Sequence, residues 1–349
     1  MKVAALISGG VDSSVALYLA REAGYDLTAF YLKVWLEDEL EYLGQCPWEE
    51  DLEYVQAVCD QLDVPLQVVP IQQEYWQRVI EFALQEIEAG RTPNPDMLCN
   101  SRVKFGAFMD YIGNEYSRII TGHYARVRRT DDHVDLRTAP DPIKDQTYFL
   151  AHLNQTQLSR AEFPIGEYQK DQVRELAARF ALPTATRPDS QGLCFLGKIS
   201  FRDFVRHHLG ERPGHFKEHE TGVIVAQHRG YWFYTIGQRH GLGLAGGPWY
   251  VVSRDIAQNV VYISRSYYAE DKQRDSLQVS GLNWINRAPE TDRLRVKLRH
   301  GPGFHDCTIE YIDADRLFVR LAQNDQGIAP GQYAVFYDKD ICLGCGMIQ

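Results

Sequence analysis

The most constraining feature of this chain is a seven-residue loop, Ser8-Gly9-Gly10-Val11-Asp12-Ser13-Ser14, between an apolar run and a helical run. The run Val3–Ile7 predicts a buried strand, and Val15–Ala20 predicts the helix after the loop. Glycines let the backbone approach an anion closely, and a helix N-terminus offers N–H groups and a favourable dipole. This order of elements predicts a phosphate-binding loop in the first strand–helix unit.

The loop differs from two common nucleotide-binding motifs. It has no Gly-Lys-[Ser/Thr] of a Walker loop, and it lacks the third glycine of the dinucleotide fingerprint. It resembles the Ser-Gly-Gly-x-Asp-Ser loop of the ATP pyrophosphatases, which split ATP between the α and β phosphates and transfer AMP to a substrate. The loop alone leaves one alternative open, an ordinary turn with a Ser or Asp helix cap.

Length and composition limit the class of protein. A chain of 349 residues predicts two or three domains. No apolar run approaches ~20 residues, so no membrane span is expected, and the N-terminus does not indicate a signal peptide. Seven scattered cysteines are typical of a reducing compartment rather than of a disulfide framework, which favours a cytoplasmic protein.

The net charge of −10 is concentrated in one segment. Val34–Asp60 contains nine acidic residues and no Lys or Arg, so the remaining chain is almost neutral. Residues 198–240 hold seven Lys or Arg against four acidic residues. Global charge therefore neither supports nor excludes RNA as a partner.

The order of elements predicts an α/β fold. We expect an N-terminal Rossmann-like parallel sheet of the adenine nucleotide hydrolase type over 1–198, a small β-rich domain over 199–272 and a C-terminal β-barrel over 273–349. The predicted N-terminal strands are Val3–Ile7, Leu27–Val34, Leu66–Val69 and Ile119–Thr121, and the helices are Ser13–Ala23, Leu52–Leu62, Trp76–Glu88, Lys104–Asn114 and Asp171–Phe180. The later strand candidates are Gly230–Thr235, Trp249–Val252, Leu277–Val279, Leu294–Leu298, Cys307–Ile312, Leu317–Arg320 and Tyr333–Tyr337.

Two cysteines lie in unusual surroundings. Cys99 follows two prolines, which predict a stiff loop that holds its thiol near the carboxylate of Asp96. Lys104 is close enough in sequence to lower the thiol pKa, and Asn100 or Ser101 is expected to cap a helix from about residue 102. Cys194 lies between Gly192 and Gly197 in a predicted loop. Taken alone, each cysteine is more often a buried apolar residue than a chemical one, but two such cysteines beside an ATP-activation motif shift that balance.

The motifs together resemble the bacterial-type tRNA-specific 2-thiouridylases. The similarity covers almost the whole chain, with the motifs in family order. The matching segments are Ser8–Ser14, Asn94–Asn100, Thr121–Tyr124, Lys144–Leu150, Gly192–Phe195, Gly237–Gly243 and Trp249–Val252.

The resemblance implies a reaction and a nucleotide site. Members of this family replace the C2 oxygen of the wobble uridine in tRNAs for Lys, Glu and Gln with sulfur, after ATP has adenylated that oxygen. Asp12 is a candidate Mg²⁺ ligand, because a hard cation prefers oxygen ligands, and a helix-capping role remains its alternative. His123 is expected close to the nucleotide. The residues expected at ATP are Leu6, Ile7, Ser8, Gly9, Gly10, Val11, Asp12, Ser13, Leu32 and Gly122.

The resemblance also implies roles for the two cysteines. Cys194 matches the persulfide carrier, which an external sulfur donor loads, either a cysteine desulfurase or a relay protein. Cys99 matches the nucleophile that breaks this persulfide, which either frees hydrosulfide or ends as a Cys99–Cys194 disulfide. A disulfide needs the two Cα atoms within about 7 Å. We therefore expect a mobile loop around one of the two cysteines, and 189–200 is the more favoured one because of its glycines.

Further residues are expected at the target base and tRNA. Asn94, Pro95 and Asp96 match the base-facing motif, with Asp96 a candidate general base at uridine N3, and the base is expected to leave the anticodon stack. Arg295, Lys297 and Arg299 alternate along one predicted strand, which gives either a basic RNA-binding face or a solvated one. The residues expected at tRNA are Lys144, Asp145, Gln146, Arg299 and His300.

Other classes of protein share some of these features. An amidating synthetase or a lysidine synthetase would share the loop but needs no paired cysteines, and an RNA-binding or sulfur-carrier module would not need a complete loop. Cys342 and Cys345 have a spacing that suits zinc or redox work, but we interpret them as part of a structural Cys-Leu-Gly turn. We expect Cys46, Cys59 and Cys307 to have no chemical role.

Overall fold

The computed structural model describes residues 2–34, 48–189, 200–267, 269–270 and 274–349. These residues form a five-stranded parallel sheet, a four-stranded sheet and an eight-stranded sheet. The predicted α/β class, with a Rossmann-like N-terminal sheet, a small β-rich central unit and a C-terminal barrel, is confirmed. The predicted domain boundaries, 198/199 and 272/273, fall outside the described residues.

Seventeen strands, numbered in chain order, are found in the described part of the chain. They are β1 Lys2–Leu6, β2 Asp26–Lys33, β3 Leu66–Pro70, β4 Arg118–Ile120, β5 Ala125–Arg129, β6 Val134–Thr138, β7 Ala161–Glu162, β8 Gly214–Glu218, β9 Ile224–His228, β10 Tyr250–Asp255, β11 Val260–Ser264, β12 Ser276–Trp284, β13 Arg293–Lys297, β14 His305–Tyr311, β15 Arg316–Leu321, β16 Tyr333–Asp338 and β17 Ile341–Ile348.

Most helices belong to the part of the chain that forms the parallel sheet, and Phe201–Leu209 packs against helix Glu81–Glu88. Within the described ranges, none is long and apolar enough to span a bilayer. The α-helices are Val11–Glu22, Trp48–Leu62, Gln72–Tyr75, Glu81–Glu88, Pro95–Leu98, Phe108–Ile112, Thr147–Leu150, Gln155–Arg160, Lys170–Arg179 and Phe201–Leu209, with π-helical Trp76–Ile80 and Cys99–Ala107 and a 3₁₀ turn at Tyr231–Phe233.

The order of the parallel sheet positions the site. Its strands lie in the order β3-β2-β1-β4-β7, so the order reverses between β1 and β4. In open α/β sheets, ligands bind outside the carboxyl ends of the strands at such a switch point. Ser8–Ser14 follows β1 and Gly122 follows β4, so both segments lie at this crevice. Val3 and Ala4 of β1 are completely buried, as expected for a strand covered on both faces.

The segment around Cys99 is helical, so the prediction of a loop there is wrong. Asn94 caps the helix, and its Oδ1 accepts a backbone N–H three residues on at 3.2 Å. Pro95 suits the first helical position, where its missing N–H would have no intrahelical partner. Helical structure then continues through the π-helical segment that begins at Cys99. The expectation of a helix cap at Asn100 or Ser101 is therefore also wrong, because both lie inside this helix.

The C-terminal barrel closes through six antiparallel strands, and β12 pairs with β17 to complete it. Strand β17 contains Cys342, Leu343 and Gly344, so the prediction of a turn at these residues is wrong. The hairpin β5–β6 extends the barrel sheet, because β6 pairs with β17 at Ile341. The barrel is thus joined by hydrogen bonds to the N-terminal part of the chain. In the central unit, the strand predicted at Gly230–Thr235 is instead a 3₁₀ turn.

Candidate functional site

Hydrogen bonds within the phosphate loop fix its shape. The Ser13 hydroxyl accepts from the Ser8 N–H at 3.2 Å and donates to the Gly10 carbonyl at 3.1 Å. Gly10 is the N-cap of helix Val11–Glu22, and no side chain caps that end. Asp12 lies in the first turn and does not act as the cap. The first N–H groups of the helix have no acceptor within it, so this end suits an anion.

Gly122 makes a close backbone approach to this loop. A Cβ atom at position 122 would lie 2.6 Å from the Ser13 nitrogen and 2.7 Å from the Asp12 carbonyl carbon. Both neighbours are backbone atoms, so no side-chain rotation relieves the overlap. Arg187 supports the other side of the loop, where it donates to the Gly9 carbonyl at 2.7 Å. Glycine at position 122 therefore allows the loops after β1 and β4 to pack together.

Replacing Gly122 with alanine should weaken binding of the expected nucleotide. Overpacking of this kind costs about 1–3 kcal/mol. Displacement of the phosphate loop by the added methyl group would lower ATP affinity by the same free energy, which is roughly 5- to 150-fold. Titration calorimetry with ATP measures the effect. Gly303→Ala is the matched control, because a Cβ there meets nothing within 4 Å. Equal ATP affinities of the two variants would contradict the proposed close approach.

A cavity of about 370 Å³ opens at the switch point. It brings together residues that were expected at ATP and residues that were expected in sulfur transfer or at tRNA. A larger groove of about 920 Å³ lies on the barrel, and among the described residues that line it Arg295 is the one considered for RNA contact. The predicted residues that line the smaller cavity are Leu6, Ile7, Ser8, Gly10, Val11, Asp12, Ser13, Leu32, Cys99, Gly122, Lys144 and Gln146.

Cys99 lies in the wall of this cavity and is 4% exposed. The neighbouring side chain is fixed, because Asn100 donates to the Phe149 carbonyl at 3.1 Å and accepts from Lys104 at 2.9 Å. Lys104 also lines the cavity. Cys194 lies outside the described residues, so its predicted approach to Cys99 stays a prediction.

The base-facing motif is held by the start of its helix and by the barrel. Asn94 and Pro95 are buried, and Asp96 is half-buried. None of the three lines the cavity. The Gln332 amide donates to the Pro93 carbonyl at 3.2 Å, so a barrel residue supports this segment. The base contact expected of these residues stays a prediction.

The segment Lys144-Asp145-Gln146 is divided between the cavity and the protein interior. Lys144 and Gln146 line the cavity, and Gln146 Oε1 accepts the Tyr124 N–H at 2.9 Å. Asp145 is 2% exposed and pairs with Lys297 at 2.9 Å. Its carboxylate therefore faces the barrel, which turns its two neighbours toward the cavity.

The three basic residues expected on one face around β13 do not all reach the surface. Lys297 is 1% exposed and is paired with Asp145, so it presents no charge to solvent. Arg299 pairs with Asp325, and His300 stacks on Phe149 with ring centroids 4.7 Å apart. Burial is the main cause that lowers the pKa of His300, so its ring is neutral at pH 7. The contact of Arg299 and His300 with tRNA stays a prediction.

His123 is buried in the cavity wall. Its Nδ1 lies 2.6 Å from the Thr121 hydroxyl. Burial, followed by the charge of Lys104, lowers the pKa of His123 well below its usual range. The imidazole is therefore neutral and acts as a hydrogen-bonding group rather than as a cation.

A charge cluster at the edge of the phosphate loop was not predicted. Lys170 lies 2.7 Å from Asp12 and 2.8 Å from Asp189, and Lys144 also pairs with Asp189 at 2.7 Å. Burial alone would raise the pKa of Asp189, but its lysine and arginine partners together hold it far below the usual value. Lys170 lies 158 residues from Asp12 and belongs to no loop motif, so no sequence signal identified it.

The donor set for a cation is small. Among the described residues, no group of three or more His, Cys, Asp or Glu side chains has a metal-binding arrangement. Asp12 accepts hydrogen bonds from Tyr124 and Lys170 through Oδ1, and its Oδ2 accepts none from the described residues. Mg²⁺ at nucleotides is usually bound by phosphates and one or two carboxylates. The described residues therefore fit a Mg²⁺ ion that phosphates would hold together with the Asp12 carboxylate.

Three domain models match the chain. Residues 1–198 match the "tRNA methyl transferase HUP domain", 202–265 the "tRNA methyl transferase PRC-barrel domain" and 274–348 the "Aminomethyltransferase beta-barrel domain". These labels name methyl transfer, whereas full-length relatives are named for thiolation. Since those relatives match the entire chain, their names are the more specific comparison.

Curated relatives are similar over their full length. The tRNA-specific 2-thiouridylase MnmA of Parabacteroides distasonis is 44% identical over 100% of this chain and 99% of its own. MnmA 1 of Bacteroides thetaiotaomicron is 45% identical, and MnmA of Porphyromonas gingivalis 43%, with the same coverage. Among solved structures, a Francisella tularensis NMN synthetase overlaps with a TM-score of 0.35 at 16% identity, over 60% of this chain and 77% of its own.

Proposed function

We propose, because this chain belongs to the family of tRNA-specific 2-thiouridylases, that it replaces the C2 oxygen of a tRNA uridine with sulfur. The target is the wobble uridine of the tRNAs for Lys, Glu and Gln, ATP is the activating substrate, and the reaction takes place in the cytoplasm. The products are 2-thiouridine, AMP and pyrophosphate.

The cavity at the switch point is the observation that supports this proposal most strongly. The phosphate loop, Gly122 and Cys99 line the same space of about 370 Å³. The activating nucleotide reacts with the uridine C2 oxygen and the sulfur with the C2 carbon, so both have to reach the same carbonyl group and share a site. A synthetase that only adenylates its substrate does not require a thiol in this position.

The first half-reaction prepares a leaving group. The uridine C2 oxygen attacks the α-phosphorus of ATP, pyrophosphate departs with the electron pair of the broken bond, and uridine N3 loses its proton. N–H groups at the start of helix Val11–Glu22 bind the phosphates. Asp12 would hold Mg²⁺, which reduces the phosphate charge. Asp96 is the proposed base for N3.

The second half-reaction delivers sulfur. Cys194 carries a persulfide that an external cysteine desulfurase or relay protein supplies. In one route Cys99 attacks Cys194 and frees hydrosulfide, which displaces AMP from C2. In the other, the terminal sulfur of the persulfide bonds to C2 and displaces AMP. Cys99 then attacks the Cys194 sulfur, which breaks the sulfur–sulfur bond and leaves the outer sulfur on C2. Both routes leave a Cys99–Cys194 disulfide, which a cellular thiol reductant must then reduce.

Reconstitution with purified components tests the proposal. The protein is incubated with ATP, Mg²⁺, a tRNA for Glu, and a cysteine desulfurase with cysteine. We expect AMP and 2-thiouridine in equal amounts by mass spectrometry. Asp12→Asn should bind the tRNA normally but form no AMP, because the phosphate loop loses its one anionic side chain in the first turn.

The matched control is the same tRNA with cytidine at position 34, which should give neither product. Formation of AMP without 2-thiouridine, together with incorporation of an amino acid or ammonia into the tRNA, would identify a lysidine or amidating synthetase instead. Normal tRNA binding with no ATP consumption would identify a binding module.

A further inference from the structure

A lysine outside every sequence motif lies at the edge of the phosphate loop. Lys170 begins helix Lys170–Arg179, and its Nζ lies 2.7 Å from Asp12 and 2.8 Å from Asp189. Its side chain is 12% exposed and lines the cavity. An ammonium group has three N–H donors. Two of them satisfy the carboxylates, and the Tyr124 ring lies 5.9 Å from the ammonium. Among the described residues the third N–H has no hydrogen-bond acceptor, so it is available to a ligand.

Charged groups of both signs surround Lys170, and Asp141 is among them because its carboxylate accepts the backbone N–H groups of Lys144 and Lys170. Lys144 and Arg174 also pair with Asp189, so three cations surround the carboxylates of Asp189 and Asp12. The N-terminal end of helix Val11–Glu22 adds its dipole with the same sign. In a partly buried site, charges interact more strongly than they do in water. The Lys170 ammonium and this helix end, which line the same cavity, therefore both favour an anion there.

We propose that Lys170 is a catalytic residue that contacts the β- and γ-phosphates of ATP and stabilises the departing pyrophosphate, an inference that rests on the proposed function. The uridine C2 oxygen forms a bond to the α-phosphorus, and the bond from that phosphorus to the bridging oxygen breaks. The bonding electron pair leaves on pyrophosphate, and the N3 proton passes to the base and then to water. The growing negative charge on pyrophosphate is what the Lys170 ammonium stabilises.

Inorganic pyrophosphate and AMP separate this role from a structural one. In Lys170→Met, we expect pyrophosphate affinity to fall about 10- to 100-fold, as for loss of one charged hydrogen bond. AMP affinity should stay the same, because AMP carries only the α-phosphate. tRNA-dependent ATP–pyrophosphate exchange should fall at least as far. Arg179→Met, at the exposed end of the same helix, is the control and should change none of these values.

Two results would overturn the inference. One is unchanged pyrophosphate affinity in Lys170→Met, and the other is an equal loss for AMP and pyrophosphate, which would show that Lys170 only holds Asp12 and the loop. Lys170→Arg keeps the charge and should retain part of the pyrophosphate affinity. It replaces the methionine variant in these measurements if that variant does not fold. If the unaltered protein forms 2-thiouridine, and Lys170→Met equals it in pyrophosphate affinity and in ATP–pyrophosphate exchange, this inference fails and the proposed function stands. Absence of 2-thiouridine with the unaltered protein rejects the function instead.

Discussion

Cys99→Ser should abolish 2-thiouridine formation and leave adenylation intact. A serine hydroxyl is not ionised at neutral pH and does not attack a persulfide, so we expect thiolation to fall on the order of 10³-fold or more. ATP–pyrophosphate exchange with tRNA involves no sulfur and should proceed normally. Cys194→Ser should behave in the same way. The two assays are run in parallel on the same preparations.

Cys59→Ala is the matched control for Cys99→Ser. The Cys59 thiol is 1% exposed in helix Trp48–Leu62, and burial raises its pKa to about 12, so it stays protonated. This variant should form 2-thiouridine at the unaltered rate. Sodium sulfide should restore Cys99→Ser if the cysteine only frees hydrosulfide. Loss of exchange in Cys99→Ser would contradict its assignment to sulfur transfer alone.

Lys297→Met should destabilise the protein strongly. The change leaves the Asp145 carboxylate buried with only neutral partners, the Thr147 hydroxyl at 2.9 Å and the Ala139 N–H at 3.1 Å. Breaking a buried ion pair from one side costs about 3–5 kcal/mol. Chemical denaturation measures the free energy of unfolding. Thiolation should also fall, because Asp145 orients its two neighbours toward the cavity.

A second substitution and a surface pair test this explanation. Lys297→Met combined with Asp145→Asn removes both charges and should recover most of the lost stability, since no unpaired charge remains buried. Lys2 and Glu115 form an ion pair that is more than half exposed, so Lys2→Met should unfold near the unaltered midpoint. Equal effects of Lys2→Met and Lys297→Met would rule out a special role for the buried pair.

Local sequence signals were sufficient for the phosphate loop. A buried strand, two glycines and a helix specify their own geometry through hydrogen bonds between near neighbours, such as Ser13 to Ser8. The strands of the parallel sheet were also predictable, because continuous apolar runs such as Val3–Ile7 are typical of buried parallel strands. Both signals act over a few residues.

The segment around Cys99 was predicted incorrectly because its prolines suggest two structures. Proline favours extended backbone before it, but it also suits the first position of a helix. The Asn94 side chain caps the N-terminus of the helix and so favours the helical structure over the extended one. Strand β17 was missed because glycines at 344 and 346 lower strand propensity. There, pairing with β12 and β16 outweighs propensity.

The sequence by itself determined the phosphate loop, the parallel-sheet class and the family, because each depends on local patterns or on motifs in a fixed order. Tertiary structure alone decided that Lys297 is buried on Asp145, 152 residues away, and that Lys170 reaches Asp12. Charge partners of this kind form only when distant segments meet, and a lone lysine carries no local sign of its partner. The cavity in which the loop meets Cys99 exists for the same reason.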